Sequence, residues 1–199
     1  WPQLHAVDAE PLPGSDALMQ GWALFHSGRF HEAAETGLAL GVDGWSLANR
    51  ATAAQAALVE PNENVRLDLF KRVHLQASAL TLQRPQLANA WYWQGYALAR
   101  YAQGIHVARA LAQGLGAQVG LALRTTLALD ANHAYAHVAL GAFEAAVIDK
   151  LGPLVGAITY GVTAESALDH LQQAQRLAPD SPAVLHECAG ALLLMDGSA

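Results

Sequence analysis

The sequence predicts an all-α protein built from helical hairpins, and three observations favour this fold class. From Asp16 onward, apolar residues recur at spacings of three and four, and runs of β-branched residues are scarce. Gly and Pro interrupt this pattern at intervals of about 35 to 50 residues, which is typical of a helical repeat. Of the 199 residues, 53% are hydrophobic and only 14% are charged, and the abundance of Ala indicates closely packed helices.

The first residues of the chain differ from the rest. Residues 1–15 are rich in Pro and lack helical periodicity, so we expect an extended N-terminal arm followed by a single repeat domain over residues 16–199. The chain begins with Trp1 rather than Met, which indicates that a preceding segment has been removed. A processed exported protein, for example a periplasmic one, fits this start, and so does a trimmed cytoplasmic protein.

The clearest second helix of a hairpin is "SALDHLQQAQRLAPDSP". It places Ala167, Leu171, Ala174 and Pro179 at spacings of 4, 3 and 5. Small residues let two helices approach closely, the larger Leu fills the gap between them, and Pro ends the helical unit. The segment is therefore expected to pack tightly on the helix before it.

The first helix of a hairpin is marked by a bulky residue followed by a Gly four positions later, as in Trp91 with Gly95 and His137 with Gly141. In the first hairpin Gly21 occupies the Gly position, and Ala17 stands at the position of the bulky residue. From Gly21 to the small residue Ala33 the separation is 12, whereas from Gly141 to Ala167 it is 26. The later hairpins are therefore expected to contain long connectors between their two helices, and a less regular hairpin is expected to end at Pro85.

These spacings resemble those of a tetratricopeptide-repeat protein with lengthened hairpins. The stretches "ALARYAQGIHVARALAQG", "LALRTTLALDANHAYAHVALGAFE" and "ALDHLQQAQRLAPDSP" are similar to two groups: the periplasmic T-component of tripartite ATP-independent transporters and the repeat domain of the regulator of microtubule dynamics family. The resemblance covers residues 86–199 well and residues 16–85 weakly. It implies a right-handed stack of about four hairpins with a capping helix over 182–195. It also implies a role as a transport accessory protein and self-association into oligomers.

The connector "IDKLGPLVGAITYGV", residues 148–162, contains three Gly and one Pro among mostly apolar residues. A phosphate-binding loop is excluded because no Gly-Lys-Ser/Thr follows the glycines. A membrane-spanning helix is excluded because the apolar run is shorter than the ~20 residues required. The stretch is therefore interpreted as an insertion joining the two helices of one hairpin, either packed on that hairpin or forming a mobile lip over a cavity.

Motifs for catalysis are missing from the sequence. It contains neither a Gly-x-Ser-x-Gly elbow nor a His-Glu-x-x-His helix, so we expect a protein that is not an enzyme and needs no cofactor. Cys188 lies on an apolar helix face and is interpreted as a core thiol. Glu144 and Asp149 could form an acid pair, or they could solvate a helix end and pair with Lys150. The net charge of −6 argues against a nucleic-acid partner.

Nine histidines raise the question of a metal site. His133 and His137 lie four residues apart on one face of a predicted helix, which is compatible with a shared zinc or copper ion. A third ligand would have to come from another helix, and His170 and His106 are the candidates. Packing and helix capping are the alternative roles for these side chains.

The repeat geometry predicts a second kind of site. Fixed positions of each first helix line the concave groove of a tetratricopeptide repeat, and in this chain those positions carry aromatic side chains and an arginine. The predicted binding residues are Trp22, Phe25, His26, Tyr92, Tyr96, Arg100 and Tyr135. Aromatic rings offer a large contact area, and Arg can bind a carboxylate through two hydrogen bonds. Alternatively, the connectors or the terminal helix fold into the groove and cover these residues.

The sequence is compatible with two classes of function. The first is a non-enzymatic scaffold that binds a protein segment or peptide, and the second is a carrier or accessory protein for a small apolar anion. An open groove would favour the scaffold, and a closed cavity beneath the 148–162 connector would favour the carrier. The low charge and many apolar residues also predict a homo-oligomer, since contiguous apolar patches usually mark interfaces.

Overall fold

The computed structural model describes His5, Val7, Asp8 and residues 10–196, and it confirms the all-α fold class. The described residues contain eleven α-helices and no strand. They divide into two compact units, one formed by residues 10–106 and the other by residues 107–196 together with the described residues before Ala9.

The 10–106 unit contains five α-helices. They are α1 Asp16–His26, α2 Phe30–Ala39, α3 Trp45–Ala54, α4 Glu63–Gln83 and α5 Ala88–Gln103. Each of these helices packs on the next one along the chain, and α3 also packs on both α1 and α5. Helices α1, α3 and α5 are therefore neighbours in one layer of this unit.

Small residues set the closest helix contacts of this unit. A Cβ atom at Gly21 of α1 would lie 2.5 Å from the Leu47 side chain of α3, and one at Gly37 of α2 would lie 2.8 Å from the Ala48 nitrogen. Ala33, Leu47 and Ala48 are themselves fully buried. Gly21, a marker of the first predicted hairpin, thus lies where two helices approach closely.

The 107–196 unit contains six α-helices, one of which lies at its centre. They are α6 Val107–Ala112, α7 Leu115–Leu129, α8 Ala134–Leu151, α9 Pro153–Tyr160, α10 Ala164–Leu177 and α11 Pro182–Asp196. The central helix α8 packs on α7, α9, α10 and α11. Helix α11 covers the range predicted for the last helix, and it buries Val184, Cys188 and Ala191.

The predicted second helix and the Gly marker of its partner meet in the core of this unit. Ala167, Leu171 and Ala174 are the buried residues of α10, in agreement with their expected packing role. A Cβ at Gly141 of α8 would lie 2.9 Å from the carbonyl oxygen of Ala167. The contact between α8 and α10 therefore depends on a residue without a side chain.

The connector over 148–162 contains the short helix α9. Gly152 and Gly161 flank it with φ angles of 82° and 66°, conformations that other residues rarely adopt. Gly156 is buried against Val147 and Val162, whereas Leu154 and Ile158 are 72% and 78% exposed. The connector is thus packed on the core by one face only.

The described part of the predicted N-terminal arm contacts the helical units. His5 and Asp8 are buried and hydrogen-bonded to each other, and the carbonyl oxygen of Val7 accepts a hydrogen bond from the Ala134 amide. Residues 1–4, 6 and 9 of the arm lie outside the described residues. Across the described helices, none is both long and apolar enough to cross a membrane.

Candidate functional site

Aromatic side chains of α1 form the first part of the candidate site. Trp22, Phe25 and His26 are three and four residues apart, so they share one face of the helix. The Trp22 ring lies 5.7 Å from Phe25 in an edge-to-face arrangement and 6.1 Å from His26 in a stacked one. This packing holds the three rings as one group.

Arg50 of α3 joins this group, and the sequence reasoning missed it. Its guanidinium carbon lies 5.7 Å from the centre of the Trp22 ring and 5.1 Å from that of Phe25. These distances are within the range of cation–π contacts. Arg50 was missed because α3 has Asn49 rather than Gly four residues after Trp45, so it lacks the marker. The packing of α3 on α1 is what reveals Arg50.

A second aromatic group with an arginine lies on α5. Tyr92, Trp93 and Tyr96 pack against one another with ring centres 4.7 to 5.7 Å apart, and Phe70 of α4 contacts Tyr96. The guanidinium carbon of Arg100 lies 5.1 Å from the centre of the Tyr96 ring. Arg100 also donates a hydrogen bond of 3.3 Å to the side-chain oxygen of Gln103.

The predicted binding residues of the 10–106 unit differ in exposure. Trp22 is 2% exposed and Tyr92 is 6% exposed, so both rings belong mainly to the core. Phe25, Tyr96 and Arg100 are partly exposed, as is Arg50, and His26 is exposed. The accessible part of this face, which we call the α1–α3–α5 surface, consists of Phe25, His26, Arg50, Tyr96 and Arg100.

A buried carboxylate connects the helices of this layer. Glu10 is 8% exposed, and one of its oxygens accepts hydrogen bonds from the hydroxyl of Ser46 on α3 and the amide of Asn89 on α5. Glu10 therefore helps to fix the positions of the two helices that carry Arg50 and Arg100.

Tyr135, the remaining predicted binding residue, lies on α8 in the 107–196 unit. It is partly buried and packs against the apolar cluster that includes Val138, Leu171 and Val184. This contact gives the ring a structural role within its own unit.

The histidines predicted as metal ligands have other partners. His133 is fully buried, and its Nδ1 accepts a hydrogen bond from the Ala136 amide, which caps the start of α8. His137 contacts His170, a residue predicted as a third ligand, with 3.0 Å between their Nδ1 atoms. In the part of the chain that the structure describes, no three His, Cys, Asp or Glu side chains are grouped closely enough to hold a metal ion.

In the hydrogen bond between His137 and His170, one ring must donate and the other must accept, and a neighbouring carbonyl group decides which does so. The Nε2 of His137 lies 3.0 Å from the carbonyl oxygen of Ala131, to which it can only donate. The Nδ1 of neutral His137 must then accept, so the Nδ1 of His170 donates. Burial lowers the pKa of both His137 and His170 below the ordinary value of 6.5.

The lowered pKa values of His137 and His170 predict that the stability of the folded protein depends on pH. Because the unfolded chain binds protons more readily than the folded one, the stabilisation is present above pH 6.5 and is lost as the pH falls below it. Positive charge on Arg124 near His170, and on Arg176 near His137, acts in the same direction. Urea unfolding at a series of pH values should show this decline, and it should be flatter in His170→Gln. The exposed His186→Gln is the control, and an equal slope in both variants would contradict the prediction.

Glu144 and Asp149, considered above as an acid pair, have separate partners. Glu144 is 2% exposed, and it accepts hydrogen bonds of 2.7 Å from the Ser166 hydroxyl and 3.5 Å from Arg124. Burial raises the pKa of Glu144, and these two hydrogen bonds oppose that rise. Asp149 lies 2.7 Å from the amino group of Lys150, as the alternative interpretation proposed.

Comparison with protein-family models and with curated proteins reveals no relative of this chain. The chain matches no protein-family model, and no curated protein gives a significant match.

Proposed function

We propose that the protein is a non-enzymatic helical-repeat scaffold that binds an acidic, partly apolar protein segment on the α1–α3–α5 surface. In this proposal the hairpins form a tetratricopeptide-like stack, with α1, α3 and α5 as the helices that line its groove. The packing of α3 on both α1 and α5 supports that arrangement.

The observation that carries the proposal is the repeated stacking of an arginine on an aromatic ring. Arg50 stacks on Trp22 and Phe25, and Arg100 stacks on Tyr96, so the same pair of side-chain types occurs twice in one helix layer. Arg is suited to carboxylates because its planar guanidinium matches their geometry and also packs on aromatic rings. Each pair therefore places a positive charge beside an apolar ring, which is the combination that an acidic, partly apolar segment requires.

The composition of the surface also indicates the kind of partner. Both of its arginines are positive, whereas the chain as a whole has a net charge of −6. A segment with one or two carboxylates among aromatic or aliphatic residues matches the charges and the rings. A long polyanion would meet repulsion from the rest of the chain.

The test uses defined peptides. A pool of synthetic peptides, each with one Asp or Glu among apolar residues and an amidated C-terminus, is passed over the immobilised protein. The same pool with Asn and Gln in place of the acids is the matched control. Peptides retained from the acidic pool are identified by mass spectrometry, and their affinities are measured by fluorescence anisotropy.

Arg100→Ala is expected to weaken binding of the retained peptides about ten- to hundredfold, because a hydrogen bond between charged groups contributes roughly 1.5–3 kcal/mol. Tyr96→Ala should also weaken binding but leave its dependence on salt largely unchanged, because the substitution removes a ring and no charge. Arg72→Ala, at an exposed arginine of α4, should leave the affinity unchanged. Equal retention of the two pools, or the same affinity in Arg100→Ala and Arg72→Ala, would refute the proposal.

A further inference from the structure

A cleft of about 460 Å³ lies between α7 and α9 in the 107–196 unit. Its volume is within the usual range of small-molecule sites, roughly 300–1,000 Å³, and it is open to solvent, since Leu121, Arg124 and Ala128 in its lining are exposed. Apolar groups form most of its lining, among them Leu121 and Ala128 of α7 and the ring of Tyr160 of α9. The cleft is separate from the α1–α3–α5 surface and plays no part in the proposed scaffold function.

Two glycines of α7 shape the cleft. A Cβ at Gly116 would lie 2.8 Å from the Tyr160 ring, and a Cβ at Gly120 would lie 2.7 Å from Nη1 of Arg124. Because Gly116 and Gly120 are four residues apart, they face the same side of the helix. The Tyr160 ring and the Arg124 guanidinium thus occupy space that larger residues at these positions would fill.

Arg124 is the charged side chain in the lining of the cleft. Its Nη2 donates to the carbonyl oxygen of Tyr160 at 3.4 Å and to Glu144 at 3.5 Å, and both of these hydrogen bonds are long. Glu144 has a shorter hydrogen bond of 2.7 Å from Ser166. Toward the residues that the structure describes, Nε and Nη1 of Arg124 donate no hydrogen bond. A guanidinium has five N–H donors, so most of its donors are available to a ligand.

We propose that this cleft binds a small apolar monocarboxylate. The carboxylate accepts hydrogen bonds from Arg124, and the hydrocarbon body lies against Leu121, Ala128 and the Tyr160 ring. Arg124 is the cation of the lining, and it contacts the Glu144 carboxylate through Nη2 alone, at 3.5 Å. Multiply charged anions such as citrate or a nucleotide would leave their further charges without a cationic partner in the lining.

Hexanoate is the probe for this proposal, and its uncharged methyl ester is the matched control. The whole protein is titrated with each compound at millimolar concentration, and the amide signals of α7 and α9 are followed by nuclear magnetic resonance. We expect saturable shifts with hexanoate. We expect at least tenfold weaker binding of methyl hexanoate, because the ester carries no charge for Arg124.

Two variants, each with a control, test the role of charge in the cleft. Arg124→Met should weaken hexanoate binding at least tenfold, whereas Arg109→Met, at an exposed arginine of α6, should not. Leu121 is 64% exposed, so Leu121→Glu can be made without disturbing the core, and its negative charge should also abolish binding. Leu193→Glu, at a residue that is 73% exposed on α11, is its control.

Failure of the proposal would be evident in three ways. Absence of saturable shifts with hexanoate, equal binding of the methyl ester, or unchanged affinity in Leu121→Glu would each overturn it. If Arg124→Met does not fold, the comparison between Leu121→Glu and Leu193→Glu decides the question alone.

Discussion

Replacement of Gly141 by Leu is expected to lower the free energy of unfolding by about 3 kcal/mol, at the upper end of the range for overpacked cores. An added Cβ alone would lie 2.9 Å from the carbonyl oxygen of Ala167 and 2.9 Å from the Leu171 side chain. The carbonyl belongs to the backbone of α10, so it can move only if the helix moves. Urea unfolding followed by far-ultraviolet circular dichroism measures the effect.

Gly190→Leu provides a matched control for this experiment. Gly190 lies in α11, where an added Cβ would meet no other atom within 4 Å. The same substitution there should raise stability slightly, since Gly is less favourable than Leu in a helix by somewhat under about 1 kcal/mol. A similar loss of stability in both variants would show that the effect does not come from the contact between α8 and α10.

The second large effect is expected for Trp22→Ala, which should lower the free energy of unfolding by about 3–5 kcal/mol. Trp22 is 2% exposed and is among the largest fully buried side chains of the described residues. Its removal leaves a cavity beside Phe25 and takes one ring away from Arg50. Equilibrium unfolding in urea again gives the measurement.

Met19→Ala on the same helix is the control for Trp22→Ala. Met19 is 53% exposed, and its truncation should change stability by less than about 0.5 kcal/mol. A loss below about 1 kcal/mol for Trp22→Ala would mean that the ring is less tightly packed than its burial indicates. The Trp22 ring would then be available for binding, as its position in the sequence first suggested.

The packing of α8 on α10 could be predicted from small residues. The spacing of Ala167 and Ala174, and the position of Gly141 before them, predicted a close pair of helices, and all three residues are buried in α8 and α10, which pack on each other. The helix within the connector could not be predicted in this way. A helix as short as α9 is unstable by itself, so its formation depends on contacts such as that of Gly156 with Val162.

The candidate sites were predictable only in part. Helical register placed Tyr96 and Arg100 together, because four residues make about one turn. Register does not reveal which neighbouring helix covers a ring, and the burial of Tyr92 could not be foreseen for that reason. Arg124 was not singled out from the sequence, because its role in the cleft depends on Gly120 beneath it and on α9 beside it.

The burial of Cys188 gives the chain an internal chemical probe of local opening. It is the single cysteine of the sequence, it is 1% exposed, and burial raises the pKa of its thiol, so a thiol-specific reagent cannot attack it in the closed state. Labelling therefore reports molecules in which α11 has separated from α8 and α10, the helices on which it packs. When opening and closing are fast relative to the labelling reaction, the rate of labelling measures the population of that open state at equilibrium, without any added fluorophore or engineered residue.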